Sequence, residues 1–217
     1  MIITIDGPTA SGKSTIANEL AKKLHFFYLS SGFLYRAFGY WIIEKKIDHS
    51  DIEKIKKLFN NFPFSYQLTD EYIPKINING KDVTSIIMEE KTGTIASNIS
   101  QIKEVREYIF NLQHDLVKNK NSIIDGRDCG TKVFPKADIK FFLTASIDAR
   151  AQRLCKRNKN IDFEICKNIL IERDQKDTSR SIAPLLPAKD AIIIDNTNYT
   201  KEETLKIISN IIKKHLL

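Results

Sequence analysis

The chain opens with a short apolar run, Ile2, Ile3, Thr4 and Ile5, closed by Asp6; after a glycine-rich break, Ile16, Ala17, Leu20, Ala21 and Leu24 recur at i, i+1, i+4, i+5 and i+8. The first pattern predicts a buried strand and the second an amphipathic helix. Further apolar runs near residues 27–30, 122–125, 139–143 and 191–195 predict more core strands, alternating with helical segments. Such alternation belongs to a parallel sheet, because parallel neighbours need a crossover and the crossover helix comes to lie on the sheet face.

Between the second and third predicted strands lies a long excursion. Its pattern predicts helices over about 33–46 and 51–60, the second opened by a capping box at Ser50-x-x-Glu53. The runs "FSYQL" and "YIPKINI", separated by Thr69, Asp70 and Glu71, predict a hairpin or meander, with Pro74 weighing against the second strand. Helical patterning resumes over about 85–119. The last segment, 200–217, opens with Thr200-x-x-Glu203 and carries Leu205, Ile208, Ile212 and Leu216 on one face, widened by Ile211. It predicts a capped helix packed on the sheet.

Chemistry enters at "GPTASGKST", residues 7–15: Gly7, Pro8, Thr9, Ala10, Ser11, Gly12, Lys13, Ser14 and Thr15. The spacing is G-x-x-x-x-G-K-[ST], set between an apolar strand and an amphipathic helix as that motif requires. Glycines let successive backbone N–H groups converge on an anion, and the helix N-terminus adds partial positive charge. Lys13 is expected to reach the β- and γ-phosphates of a nucleoside triphosphate, and the Ser14 hydroxyl to ligate Mg²⁺.

Composition sets limits on what surrounds this site. A chain of 217 residues with 42% hydrophobic content can fill one good core, so a single domain over residues 1–217 is expected. The formal charge of +7 permits an acidic partner. Its lysines are scattered through amphipathic segments such as "SDIEKIKKLF", where they read mainly as a solvated face, and a field that steers small nucleotides fits equally well. Cys129, Cys155 and Cys166 are odd in number and form no CxxC. Neither a disulfide frame nor a zinc site is suggested, and reduced thiols in the cytoplasm are expected. Residues 1–5 are consumed by the first strand, so no export signal is expected, and no run reaches membrane-spanning length.

Three further motifs sharpen the chemistry. In "LSSGFLYRAF", Ser30, Ser31 and Gly32 fall at the carboxyl end of a predicted strand, where open α/β sheets bind ligands, and Arg36 follows one turn into the next helix. In "IIDGRDCGTKVFP" an apolar strand runs into Gly126, Arg127, Asp128, Gly130 and Thr131; Arg127 beside Asp128 fits a structural ion pair as well as a site. In "ERDQKDTSRSIAPL" a helix would place Arg173, Asp177 and Arg180 at i, i+4 and i+7 on one face. An ion pair between Arg173 and Asp177 on the surface would be worth only a few tenths of a kcal/mol.

Together with "VREYIFNLQ" and "FFLTAS", these strings resemble the bacterial cytidylate kinases, along essentially the whole chain. The resemblance implies a P-loop kinase fold of the α/β class: a five-stranded parallel sheet flanked by helices, a nucleoside-monophosphate-binding excursion (about 33–119, with an insert about 60–100) and a short mobile lid (about 150–162). It implies transfer of the γ-phosphoryl group of ATP to CMP or dCMP with Mg²⁺, in a cytoplasmic monomer without nucleic-acid or membrane partners. It further implies that Ser97, Arg106 and Asp128 face the cytosine and that Arg173 and Asp177 lie at the sugar. Ser31 falls in the acceptor-binding motif, and Arg36, Arg127 and Arg180 surround the acceptor phosphate. Arg153 and Arg157, at the start of the lid, are candidates to close over the transferring group. Cys129 reads as a small space-filler.

One departure stands out: the family usually has an aspartate where this chain has Ser30. A carboxylate near the metal would then have to be Asp6 or Asp125, or its place be taken by solvent. Two other classes remain open from the sequence: a kinase of another small acceptor, and a non-enzymatic, nucleotide-dependent nucleic-acid binder prompted by the basic charge.

Overall fold

The computed structural model describes residues 1–157 and 161–216, the side chain of Leu216 excepted. In chain order the elements are β1 (Ile2–Asp6), α1 (Lys13–Leu24), β2 (Phe27–Ser30), α2 (Ser31–Glu44), α3 (Ile52–Leu58) and a 3-10 turn (Phe59–Asn61). There follow β3 (Phe64–Leu68), β4 (Pro74–Ile78), β5 (Lys81–Asp82), a second 3-10 turn (Ile86–Met88), α4 (Glu90–Ile99) and α5 (Lys103–Val117). The last third holds β6 (Ser122–Gly126), a single π-helical turn (Cys129–Val133), β7 (Ile139–Thr144), α6 (Ile147–Arg157), α7 (Phe163–Thr178), β8 (Ile192–Asp195) and α8 (Lys201–Leu216). Among the described residues the strands form a five-stranded sheet in the order β2-β6-β1-β7-β8 and a three-stranded sheet, β3-β4-β5. By contacts the chain divides into two compact units, Met1–Phe26 with Ser122–Leu217, and Phe27–Asn121.

In the first unit β1 pairs in parallel with β6 on one side and β7 on the other, and β7 with β8. Ile3, Ile5, Ile123, Ile124, Phe141 and Leu143 are all but inaccessible, each contributing about 1.5–3 kcal/mol on burial. The register aligns Asp6 with Gly126, so β1 and β6 end together where the glycine-rich loop and the Arg127 loop begin, while β7, aligned at Phe142, runs on to Thr144. The capping box of α8 is made reciprocally: the Thr200 N–H donates to Glu203 Oε2 at 2.8 Å, and the Glu203 N–H to Thr200 Oγ1 at 3.2 Å. Ile208 and Ile212 are buried as its stripe requires, while Leu216, the last member of that stripe, lies outside the described side chains.

The second unit packs α2, α4 and α5 with the small antiparallel sheet. Phe38 is its centre: its ring meets Phe62 edge-on at 5.2 Å, with Phe59 and Tyr108 at 5.7 and 5.5 Å. Pro74 begins β4 opposite Leu68, a first-residue position where its missing N–H costs no interior ladder bond. β5 was not expected; it follows an Asn79-Gly80 turn in which both residues have positive φ, 53° and 74°.

Two expectations are corrected. The helix expected from 33 starts at Ser31, directly at the end of β2. The second helix is capped not by Ser50 but by Asp51, whose carboxylate accepts from the Lys54 N–H at 3.1 Å; the Ser50 N–H is held by Asp48 at 2.9 Å, which delays helix entry by one residue. The helical pattern expected over about 85–119 is present as a 3-10 turn and two helices: α4 ends at Ile99, where the Ser100 hydroxyl donates to the Ser97 carbonyl and Arg106 donates to the Ser100 carbonyl, satisfying oxygens that a continuing helix would have used.

The corrected cap is testable by urea denaturation. Asp51→Ala is expected to cost about 1 kcal/mol and Ser50→Ala less than about 0.5 kcal/mol; the reverse order would restore Ser50 as the cap.

Candidate active site

Gly7 lies where β1 meets β7: a Cβ there would stand 2.1 Å from the Leu143 carbonyl oxygen, so nothing larger than hydrogen fits. Ala10 and Gly12 turn the loop through left-handed steps at φ 60° and 92°, the backbone geometry from which anion-binding nests are built. The loop carbonyls are tied by side chains from elsewhere in the first unit. Arg150 donates to the Thr9 carbonyl and Arg153 to the Ser11 carbonyl, each at 3.3 Å, and Asn196 Nδ2 donates to the Ser11 carbonyl at 3.0 Å. Arg153 also donates to the side chain and backbone oxygens of Asn196, at 3.0 and 2.8 Å. Behind it, Arg150 forms an ion pair with Asp174 at 2.7 Å.

Lys13 and Ser14, the first residues of α1, carry the charge and the hydroxyl. Lys13 is buried and donates to the Pro8 carbonyl at 2.9 Å. Burial first, and the Arg127 charge second, bring its ammonium down to a pKa of about 7. Ser14 Oγ donates to Asp125 Oδ2 at 2.7 Å, which pairs a hydroxyl and a carboxylate oxygen at the end of β6. Asp6 is committed elsewhere: it accepts the Cys129 N–H at 2.9 Å and the Gly130 N–H at 2.7 Å. Burial raises its pKa to about 6 against the pull of those two donors. Of the two carboxylates considered as replacements for the residue absent at position 30, Asp125 is thus the one that meets Ser14. Cys129 is fully buried, and burial, with Asp6 beside it, keeps the thiol protonated.

Arg127 leaves the end of β6 and joins three elements. Its Nε donates to Asp177 Oδ2 at 2.7 Å and its Nη2 to Thr9 Oγ1 of the loop at 2.8 Å. Arg180 donates to the other oxygen of the same carboxylate. Burial pushes the Asp177 carboxyl upward, but Arg127 and Arg180 more than offset it and hold it below the usual range. Arg173 is near enough for its charge to act on both Asp177 and Lys13. The expected helical row is therefore corrected. α7 ends at Thr178, so Arg180 lies beyond it; the chain folds back, with the Leu185 N–H donating to the Asp177 carbonyl at 2.9 Å. The Asp177 carboxylate pairs with Arg180, a member of the expected row reached from beyond the helix end, and with Arg127, which that row did not include. Asp128 is buried at the start of the π-helical turn and its carbonyl receives the Lys132 and Val133 N–H groups.

The other candidates, Ser31, Arg36, Ser97 and Arg106, belong to the second unit. Ser31 is buried at the first position of α2. Arg36 donates to the carbonyls of Ile87 and Glu89 at 2.8 and 3.1 Å and lies across Gly93, where a Cβ would stand 2.7 Å from its guanidinium. Arg106 is 2% exposed, donates to the Ser100 carbonyl at 3.0 Å, and stands 5.2 Å from the Phe110 ring centroid. Ser97 is half-buried on α4. Of the stretch 150–162 expected as a lid, residues 158–160 lie outside the described residues; Arg157 is exposed at the end of α6.

Sequence reading missed Arg150, Asp174 and Asn196. The Arg150-x-x-Arg153 spacing on one helix face was the available signal for the first. Nothing in the sequence announces that Asn196, after the last strand, reaches the Ser11 carbonyl.

The family model for cytidylate kinase matches residues 3–214. Cytidylate kinase from Thermotoga sp. (strain RQ2) is 39% identical over 219 residues, 99% of this chain and 97% of that one. Cytidylate kinase from Caldicellulosiruptor saccharolyticus is 39% identical over 98% of this chain and 95% of that one. Among solved structures, an uncharacterized protein from Eubacterium ventriosum matches with TM-score 0.53 at 14% identity, and shikimate kinase from Bacteroides thetaiotaomicron with TM-score 0.50 at 12%, each over 98% of both chains. At those identities the structures speak to the fold alone.

The position of Lys13 gives a pH prediction. With a pKa near 7 in the free protein, triphosphate binding must draw a proton onto the lysine. Affinity should fall above about pH 7, by up to about tenfold per pH unit from this group, and binding should take up protons. Calorimetry in two buffers of different ionisation enthalpy measures the uptake; Lys13→Arg, permanently charged, should abolish it, and uptake that persists in that variant would assign it to another group.

Proposed function

The chain belongs to the cytidylate kinase family, and from that membership and the site's geometry we propose that it transfers the γ-phosphoryl group of ATP to CMP and dCMP, forming ADP and the corresponding diphosphate. The observation that carries this reading is the Arg127 side chain, bonded at once to Thr9 of the phosphate loop and to Asp177. A guanidinium suited to an acceptor phosphate is thereby fixed to the loop suited to the donor phosphates. Phosphoryl transfer asks for positioning and charge neutralisation more than covalent work by the protein, and this network supplies both.

In this proposal Lys13 neutralises the donor phosphates, and Arg36, Arg127 and Arg180 bind the acceptor phosphate by bidentate forks. Arg173 and Asp177 hold the sugar. Ser97, Arg106 and Asp128 read cytosine, whose N4 amine donates while N3 and O2 accept. Uracil reverses two of those roles and would leave buried polar groups unpaired. Ser14 Oγ and Asp125 Oδ2, 2.7 Å apart, are hard oxygens of the kind Mg²⁺ takes alongside phosphate and water. The ion would supply charge neutralisation between the two phosphates. Arg153, which donates to the Ser11 carbonyl and Asn196, acts by holding the loop's shape, and Arg157 is the lid candidate for closing over the reacting group. No helix among the described residues is long and apolar enough to cross a membrane; a monomer in the cytoplasm completes the proposal.

ADP production with ATP and Mg²⁺ against CMP, dCMP, UMP, AMP and GMP tests the reading. CMP and dCMP should be preferred, and Asp128→Ala should lower kcat/KM for CMP by about a hundredfold and erase its advantage over UMP. Lys13→Ala should abolish turnover to within about a thousandth of the parent. Activity on AMP above CMP, or none on any of the five, would refute the assignment.

A further inference from the structure

Arg127 meets the phosphate loop through a side chain: its Nη2 donates to Thr9 Oγ1 at 2.8 Å. Nothing in the loop motif asks for a hydroxyl there, because position 9 is one of the four left open between Gly7 and Gly12. The same residue is also held by its backbone. The Thr9 carbonyl accepts from Arg150 Nη1 at 3.3 Å, and Arg150, itself nearly inaccessible, is paired with Asp174 at 2.7 Å. Thr9 is thus fixed twice, its carbonyl by a side chain of α6 and its hydroxyl by the residue that follows β6.

The consequence lies in which edge of the Arg127 guanidinium is used. Nε donates to Asp177 Oδ2 at 2.7 Å and Nη2 to Thr9, so these two bonds occupy the side edge of the group. Nη1 has no hydrogen-bond partner among the described residues. The end edge, Nη1 with the second N–H of Nη2, is therefore left for two oxygens of a phosphate in the bidentate fork. A single bond at Nε fixes the position of a guanidinium but not its plane; the second bond, to Thr9, fixes both. Thr9 Oγ1 accepts in that bond, and among the described residues its own proton is given to no other group, so the hydroxyl can also donate to a phosphate oxygen.

We propose that Thr9 is a positioning residue for phosphoryl transfer: its hydroxyl sets the plane of Arg127 so that the end of the fork meets the acceptor phosphate, and it ties acceptor binding to the loop that carries the donor. The inference rests on the phosphotransfer reading above, but not on the identity of the acceptor base.

Steady-state kinetics of the full-length protein with ATP and Mg²⁺ test the link. Thr9→Val puts a methyl group in place of the hydroxyl; kcat/KM for CMP should fall about tenfold or more, as for loss of a hydrogen bond to a charged group, while KM for ATP stays within about twofold. Thr9→Ser restores the hydroxyl and should return kcat/KM to within about threefold of the parent. In an Arg127→Ala background the Thr9→Val substitution should change kcat/KM by less than about twofold, because the group it positions is gone. The proposal fails if Thr9→Val loses less than about threefold, if Thr9→Ser is as impaired as Thr9→Val, or if the loss is undiminished without Arg127. It fails equally if KM for ATP rises by the same factor, which would make Thr9 a support of the loop's shape alone. A parent that prefers AMP overturns the CMP assignment, and the same variants assayed with AMP still decide the link; a parent inactive on all five monophosphates overturns both.

Discussion

Cationic groups must be gathered around the phosphate loop before any phosphate arrives, and the carboxylate of Asp177 is what allows them to stand there. Lys13, Arg127, Arg173 and Arg180 act on one another in surroundings poorly screened by water, where like charges repel strongly. The result is visible in Lys13, which burial and Arg127 bring to a pKa of about 7. Asp177 offers one oxygen to Arg127 and the other to Arg180, and those two arginines keep it ionised. Each carboxylate oxygen retains a second lone pair, so the sugar contact proposed for this residue need not displace either arginine.

The loop itself is held from behind by the same helices that carry this charge. α7 bears Asp174, Asp177 and Arg173, and Asp174 anchors Arg150, whose guanidinium reaches the Thr9 carbonyl. Ala10, in a left-handed conformation that a non-glycine residue rarely adopts, has its methyl group in a small apolar cluster with Ala151 of α6 and Cys166 and Leu170 of α7. Burial of that cluster offsets the backbone strain. A displacement of α7 would consequently alter the charge array and the loop's shape together, because both hang on one packed pair of helices.

Much of this was legible in the chain because strong local rules agreed with one another. The strand, glycine loop and helix at the N-terminus announce themselves by period and spacing, and so does the reciprocal cap of α8, since each depends on residues within a few positions. What failed was decided by competition or by distance. Ser50 and Asp51 are both good caps, and the Asp48 side chain, by taking the Ser50 N–H, selects between them. The spacing of Arg173, Asp177 and Arg180 suggested one helical face, but the backbone leaves the helix after Thr178, and beside Arg180 a second partner of Asp177 comes from residue 127, fifty positions away. The bond from Asn196 to the Ser11 carbonyl spans 185 positions. No periodicity can carry such information.

The serine at position 30, where the resemblance leads one to expect an aspartate, turns attention to the carboxylates at the ends of β1 and β6. A parallel sheet brings the ends of β1 and β6 side by side, with Asp6 opposite Gly126 and Asp125 one residue earlier. Two carboxylates are thereby available near the loop, yet they are not equivalent. Asp6 is turned to the backbone of the π-helical turn, where two N–H groups occupy it and where Gly130 leaves room for the approach: a Cβ there would come within 2.8 Å of Thr4 Oγ1. Withdrawing Asp6 from those donors would leave two buried N–H groups unsatisfied, at about 1–3 kcal/mol each. Asp125 accepts the Ser14 hydroxyl at 2.7 Å, the oxygen proposed above for a bound cation. With serine at position 30 the loop's hydroxyl is still paired with a carboxylate, that of Asp125, while the turn holds Asp6; in the proposed reading Asp125 therefore takes the place of the aspartate that the resemblance leads one to expect at position 30.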